Sequence, residues 1–138
     1  AVSSLCGERE TFNSKAIPWV VYTLPEAAGV GLTEQDALSQ NIKYVKSVLS
    51  MKLSGRFAAE NGFTAQGICK VLAQAETGEI RGVHMAGSYS SEIIYGAAGM
   101  IEKRMRVKDV KEIVFPHPTV AEILRETLLS ITLESKDA

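Results

Sequence analysis

The sequence holds two histidines, and one of them, His117, stands where an acid/base catalyst would be placed. It lies in Phe115-Pro116-His117-Pro118-Thr119-Val120-Ala121-Glu122, just ahead of a helical pattern. A proline on each side fixes φ near about −65° at its own position and removes a backbone donor. The residue before each proline is also pushed out of the helical region. The imidazole is therefore presented from a stiff, extended turn. Glu122 falls in the first turn of the helix to come. A carboxylate there can fold back onto Nδ1 of His117, fix the tautomer, leave Nε2 free as a base and stabilise the imidazolium. The same residues allow a plainer arrangement. Thr119-x-x-Glu122 is also a capping box, in which Thr119 caps the helix and Glu122 reaches back to the cap's backbone. Spacing alone leaves both roles of Glu122 open.

The other reactive side chains carry less. His84 lies inside Ile80–Ala86, in phase with Ile80, Gly82 and Ala86, and reads as a half-buried strand histidine with a satisfied ring. No Asp, Glu or Cys stands near it in a ligand pattern, so no metal site is expected. Cys6 and Cys69 are far apart and form no Cys-x-x-Cys or Cys-x4-Cys pair. They read as reduced thiols of a cytoplasmic protein, although sequence does not exclude a disulphide between them. Gly29-Val30-Gly31 supplies two glycines of a dinucleotide fingerprint, but Glu34 occupies the third place and no long helix follows. There is no Gly-x4-Gly-Lys loop and no Gly-x-Ser-x-Gly elbow. The chain thus shows no means of holding a nucleotide. A small cofactor-free hydrolase built on His117 and Glu122 is disfavoured, because no nucleophile with a matching motif accompanies them. A poised histidine without a cofactor site implies that the rest of the site comes from elsewhere.

The elements that must position His117 follow from periodicity. A length of 138 residues suits one core, and 46% hydrophobic with 22% charged residues is an ordinary globular balance. A net charge of −1 gives no reason to expect nucleic acid or an anionic membrane as partner. The most apolar stretch, Ile93 to Ile101, is far short of the roughly 20 residues that a membrane helix needs. Residues 1–16 are polar and read as a leader. Ile17 to Thr23 is rich in β-branched and aromatic residues and reads as a first strand, with Pro18 at its start or edge. Gly29 to Leu32 is a short extended piece, and Thr33 can cap a helix to about Gln40. Tyr44 to Met51 alternates as a strand, whereas 52–64 reads as a loop with one helical turn. Gly67–Gln74 and Ile80–Ala86 flank the turn Glu76–Glu79 and form an antiparallel hairpin. Then the period changes to 3.6. Ile93, Ile94, Ala97, Ala98, Ile101 and Met105 form one helical stripe, weakened by Gly96 and Gly99 at up to about 1 kcal/mol each. Val120, Ile123, Leu124, Thr127, Leu128 and Ile131 form a cleaner one. The tail 134–138 is polar and expected to fray. Strands first and helices late give an α+β class, an antiparallel sheet covered by helices.

Several segments together resemble the C-terminal dimerisation domain of the pyridine nucleotide-disulphide oxidoreductases, and within them the dihydrolipoamide dehydrogenases. They are Val21–Glu26 with Val30–Glu34, then Gly78–Gly87 with Glu92, and finally His117-Pro118-Thr119-Val120-Ala121-Glu122, in the family's order. The resemblance implies a five-stranded antiparallel sheet whose helices pair across a two-fold axis, here the helices at 90–104 and 119–131, to make a homodimer. It implies that Glu122 serves His117, and that residues 17–133 are the dimerisation domain. Residues 1–16 would then end an upstream FAD domain, with an NAD domain also missing. The His117–Pro118 peptide would be cis, its backbone beside the partner subunit's flavin. His117 would take a proton from dihydrolipoamide; the thiolate so formed attacks the partner's redox disulphide, and electrons pass through FAD to NAD. A 2-oxoacid dehydrogenase or glycine cleavage complex would be the larger assembly. The chain alone is expected to bind neither cofactor and to catalyse nothing. Two alternatives remain: a glutathione reductase-like enzyme, and a free-standing dimerisation module without chemistry.

Overall fold

Pro18 and Pro25 bracket the first extended run, and between them only Trp19–Val21 pairs as a strand, β1. The expected strand over 17–23 is thus cut short at both ends. Pro18 offers no amide, and Thr23 turns its hydroxyl to the Pro25 carbonyl at 2.8 Å instead of extending. The structure, a computed structural model, describes residues 2–7 and 13–133. Expectations for the rest of the leader and for the tail fall outside those residues. The leader contributes one helical turn, α1 (Val2–Leu5).

The remaining strands are β2 (Ala27–Gly31), β3 (Tyr44–Ser50), β4 (Ile68–Gln74) and β5 (Ile80–Ala86). All pair antiparallel in the order β1-β2-β5-β4-β3, which is the five-stranded sheet expected. The hairpin β4–β5 stands as read, with a bulge between Leu72 and Ala73. The extended piece at 29–32 proves to be an inner strand. Its place between β1 and β5 depends on missing side chains. Gly31 has φ +79°, and a Cβ on Gly82, opposite it, would land on the Leu32 carbonyl.

Alternation decides which face is covered. Val30, Val83 and Val71 stand opposite one another on one face and are fully buried. The helices α4 (Ser90–Glu102) and α6 (Glu122–Leu129) belong to the same core through Ile94, Ala97, Ile123 and Leu128. All six residues of the predicted second stripe are buried, although α6 itself is shorter than that stripe. On the other face the row Trp19–Gly29–His84–Lys70–Val48 runs across the sheet. The helix α2 (Glu34–Ser39) is capped by Thr33 in a full capping box with Asp36. Glu34 ties it to the sheet by accepting from Lys46 at 2.6 Å, Lys70 at 3.0 Å and the Tyr44 hydroxyl at 3.1 Å.

Two helices were not legible. The stretch read as a loop with one turn holds a 3-10 turn, Met51–Leu53, and then α3 (Gly55–Asn61). Ser54 caps α3, and Phe57, 1% exposed, drives its inner face into the core. The short α5 (Val107–Val110) follows α4 and buries Val107 and Val110. The chain enters α4 through Tyr89, whose left-handed φ of +71° leaves the helix without a side-chain cap of its own. Glu26, at the start of β2, fills that role by accepting from the Ser91 amide at 2.9 Å.

Candidate functional site

The turn from Phe115 to Thr119 joins α5 to α6, and its shape comes from groups with few backbone donors. The His117–Pro118 peptide is cis, as is Leu24–Pro25. Thr119 Oγ1 donates to the Pro116 carbonyl at 2.8 Å, which closes the turn around His117. The Thr119 side chain therefore does not cap α6, contrary to the capping-box reading. The first helical residue is Glu122, its N-cap Ala121 has no capping side chain, and amides of Ile123 and Leu124 bond the carbonyls of Val120 and Ala121 in tighter i→i+3 turns. A proline-bound turn that spends its hydroxyl on its own closure has none left for the helix.

Glu122 takes both roles that the spacing left open. Its Oε1 lies 2.8 Å from His117 Nδ1, and its Oε2 accepts from the Thr119 amide at 2.9 Å. The Thr119 amide first, and the His117 ring second, hold the Glu122 carboxyl below the usual carboxylate range. It is thus ionised near neutral pH and can only accept, so Nδ1 donates to it, and in the neutral form of the ring Nε2 is the nitrogen left free. The ring is open to solvent, with its side chain 79% exposed, while Glu122 is tucked beneath it at 24%. The arrangement is thus a ring with an orienting carboxylate on one side and solvent on the other. The turn is fastened to the rest of the fold by Ser54, whose Oγ donates to the Thr119 carbonyl at 3.0 Å.

Beside the turn lies a cleft of about 440 Å³ lined by Phe115, Val120, Leu124, Tyr89, Ile93 and Tyr95. Tyr95 also borders a second cleft of about 450 Å³, shared with Ile17, Ala98 and Gly99. Apart from the adjoining residues and backbone of α4 itself, no heavy atom of the described residues lies within 4 Å of where a Cβ on Gly96 or Gly99 would stand. The glycines of α4 thus face open space rather than a neighbouring element, beside an exposed tyrosine. The glycines are legible in the sequence but the two clefts are not, since one needs α4 against the Phe115 turn and the other α4 against residues 16–18.

The other candidates resolve as structural. His84 is half-buried on β5, but its ring is not satisfied as expected: both nitrogens are enclosed without a hydrogen-bond partner. The Trp19 ring leans over it at 6.3 Å between centroids. Burial, and then Lys70, push its pKa down, which keeps it neutral. Both cysteines are free thiols, and burial pushes that of Cys69 up to about 11. Gly29 is paired in β2 to Trp19 on one side and His84 on the other, and Gly31 ends the strand opposite Gly82, so they do not form the loop that a dinucleotide pyrophosphate needs. Among the described residues there is no cluster of three metal-ligating side chains, and no helix is long and apolar enough to cross a membrane.

The sequence pattern of the pyridine nucleotide-disulphide oxidoreductase dimerisation domain matches residues 17–128. Dihydrolipoyl dehydrogenase of Cupriavidus necator is 33% identical over 127 residues, 92% of this chain and 26% of that protein. The mitochondrial dihydrolipoyl dehydrogenase of Schizosaccharomyces pombe is 36% identical over 118 residues, 86% of this chain and 23% of that protein. The chain spans about a quarter of the length of these relatives. Among solved structures, the HOCl-induced flavoprotein disulfide reductase RclA of Escherichia coli matches with a TM-score of 0.84 at 20% identity, covering 94% of this chain and 30% of that one. LpdA from Mycobacterium tuberculosis matches with a TM-score of 0.82, also at 20% identity, covering 92% and 28%. These two likenesses bear on the fold.

Proposed function

This chain belongs to the dimerisation-domain family of the pyridine nucleotide-disulphide oxidoreductases, and on that premise we propose that it is the part of a dihydrolipoamide dehydrogenase that lends an acid/base pair to a partner subunit. The observation that carries this reading is the His117 ring, oriented by Glu122 at 2.8 Å and presented outward from the fold. A base on a ring so open to solvent is useful to a site completed by another chain.

In that site Nε2 of His117 accepts the proton of a dihydrolipoamide thiol: the S–H bond breaks, an N–H bond forms, and Glu122 stabilises the imidazolium. The thiolate is then a competent nucleophile for a disulphide. FAD and NAD, held by domains outside this chain, supply the redox chemistry. The His117–Pro118 backbone would lie beside the partner's flavin. The glycines of β2, paired within the sheet, are not free to cradle a dinucleotide, which supports the reading that the chain by itself binds neither cofactor and is inactive. Residues 17–133 form the dimerisation domain and 1–16 the end of the preceding one. The protein works in the cytoplasm, in association with a 2-oxoacid dehydrogenase or glycine cleavage complex.

The homodimer forms through α4 and α6. Open space at Gly96 and Gly99, the exposed Tyr95 and the apolar clefts on either side of it support that pairing. Obligate interfaces often exceed about 2,000 Å², and domains outside this chain would add to what α4 and α6 bury.

The test is His117→Ala in the multidomain enzyme. Dithiol-driven reduction of NAD should fall by about 10²–10⁴-fold, the usual worth of a positioned acid/base. Reduction of the flavin by NADH should survive. Turnover within a factor of two of wild type would remove the acid/base role and leave a dimerisation module.

A further inference from the structure

A turn flanked by prolines is stiff internally, but stiffness does not aim it. The backbone donors of Pro116 and Pro118 are missing, and Thr119 Oγ1 is spent within the turn. Phe115 packs its ring against the core, and among the described residues one side-chain hydrogen bond reaches the turn from a distant part of the chain, from Ser54 Oγ to the Thr119 carbonyl at 3.0 Å, 65 residues away in sequence. Ser54 is 3% exposed, so water does not compete for that bond. Its oxygen also accepts from the Phe57 amide at 3.2 Å, and its own amide donates to the Met51 carbonyl at 3.0 Å. Phe57 and Met51 are fully packed in the core. The hydroxyl is thereby fixed from the core side, and its one proton is directed at the turn.

Thr119 passes that constraint on. Its carbonyl is held by Ser54, and its amide holds Glu122 Oε2, whose other oxygen meets His117. We infer that Ser54 is a positioning residue for the His117–Glu122 pair, setting the direction in which the ring is presented to the partner subunit. The inference rests on the acid/base reading of His117. The competing account is that Ser54 merely caps α3, since the same oxygen serves the Phe57 amide.

Three substitutions separate the two. Ser54→Ala loses both bonds. Ser54→Asp keeps an acceptor for the Phe57 amide and has no proton for the Thr119 carbonyl. Ser54→Thr keeps both. In the multidomain enzyme, Ser54→Ala and Ser54→Asp should lower kcat for dithiol oxidation about three- to tenfold, the worth of one net hydrogen bond. Ser54→Thr should restore most of it. In the 138-residue chain the ring nitrogen resonances of His117 report position directly. They should show the Nδ1-protonated tautomer in wild type and Ser54→Thr, and drift toward a tautomer average in Ser54→Asp.

Wild-type kcat and wild-type resonances in Ser54→Asp would overturn the inference, whatever Ser54→Ala does, because the cap alone would then be sufficient. Should Ser54→Ala unfold the chain, the Asp and Thr variants decide between them. If His117→Ala leaves turnover intact, the acid/base reading fails by itself, and the resonances still judge whether Ser54 sets the ring.

Discussion

Replacing Glu122 by glutamine and by alanine should rank the two variants oppositely for chemistry and for stability. In the structure one carboxylate oxygen accepts from His117 Nδ1 at 2.8 Å and the other from the Thr119 amide at 2.9 Å. Glutamine has one acceptor and one donor group. Its carbonyl oxygen satisfies the Thr119 amide, which has no other acceptor among the described residues. The amide nitrogen then faces Nδ1 and forces that nitrogen to accept. The ring proton moves to Nε2, the atom that has to receive the substrate proton. Alanine leaves the tautomer unlocked, so part of the population keeps Nε2 free. Glu122→Gln should therefore lower dithiol turnover by about 10²–10⁴-fold, in line with what a wrong tautomer costs a histidine base elsewhere. Glu122→Ala should lose less turnover. For stability the order reverses. Glutamine keeps the Thr119 bond and alanine strands that amide, so the melting temperature should fall further in Glu122→Ala. Steady-state kinetics of the multidomain enzyme, ring nitrogen NMR and thermal melts of this chain measure the three quantities. A glutamine variant faster than the alanine variant, or one with its ring proton still on Nδ1, would refute the tautomer argument.

Three further outcomes follow from the packing and the charges. The Lys46 ammonium, and after it Lys70, pull the Glu34 carboxyl down from 4.5 to about 2, so its contribution is fully present above pH 4.5 and is lost as pH falls toward 2. These pairs are partly open to water, so Glu34→Gln should cost about 1 kcal/mol near neutral pH, less than the full linkage value, and should flatten urea-monitored stability across that acid window; an unchanged acid limb would contradict it. Leu128 is fully buried within the core shared by α6 and the sheet, and Leu128→Ala should cost about 2–5 kcal/mol in urea unfolding. A Cβ at Gly82 meets the Leu32 backbone, which cannot swing aside as a side chain does, so Gly82→Ala should cost about 1–3 kcal/mol, and a neutral result would mean that β2 and β5 separate freely.

How much of this was readable from sequence depends on how far apart the interacting residues lie. The hairpin β4–β5 is closed by a local turn with alternating residues on both sides, and it folds as read. The buried stripe on α6 is likewise local, a matter of period alone. The strand β2 was read merely as an extended piece because its contributions to the core, Ala28 and Val30, sit among glycines, and what makes it an inner strand is the absence of side chains facing β1 and β5. The helix α3 was missed because Gly55 and Asn61 at its ends look like loop residues. Its real signal, Ser54 followed by Phe57 at the capping spacing, is short and gains force only from the burial of Phe57.

The same distinction runs through the site. His117 and Glu122 are five residues apart, so one turn of backbone suffices to join them, and spacing alone allows the pairing. Spacing also proposed a capping box, and the two readings compete only if a carboxylate has one useful oxygen. It has two, at 2.8 and 2.9 Å from different partners, so Glu122 orients the ring and braces the turn together. Sequence could not supply the direction in which the ring points. That is set where Ser54, fixed to Phe57 and Met51, reaches across 65 residues to the Thr119 carbonyl. A histidine 79% exposed has no protein environment of its own to exclude water from the proton it would move. Its chemistry must come from whatever surface covers it. For such a residue aim matters more than local environment, and a dimerisation domain is a suitable place for it because the contacts that fix the ring belong to the same core that carries α4 and α6, the helices proposed to pair between subunits.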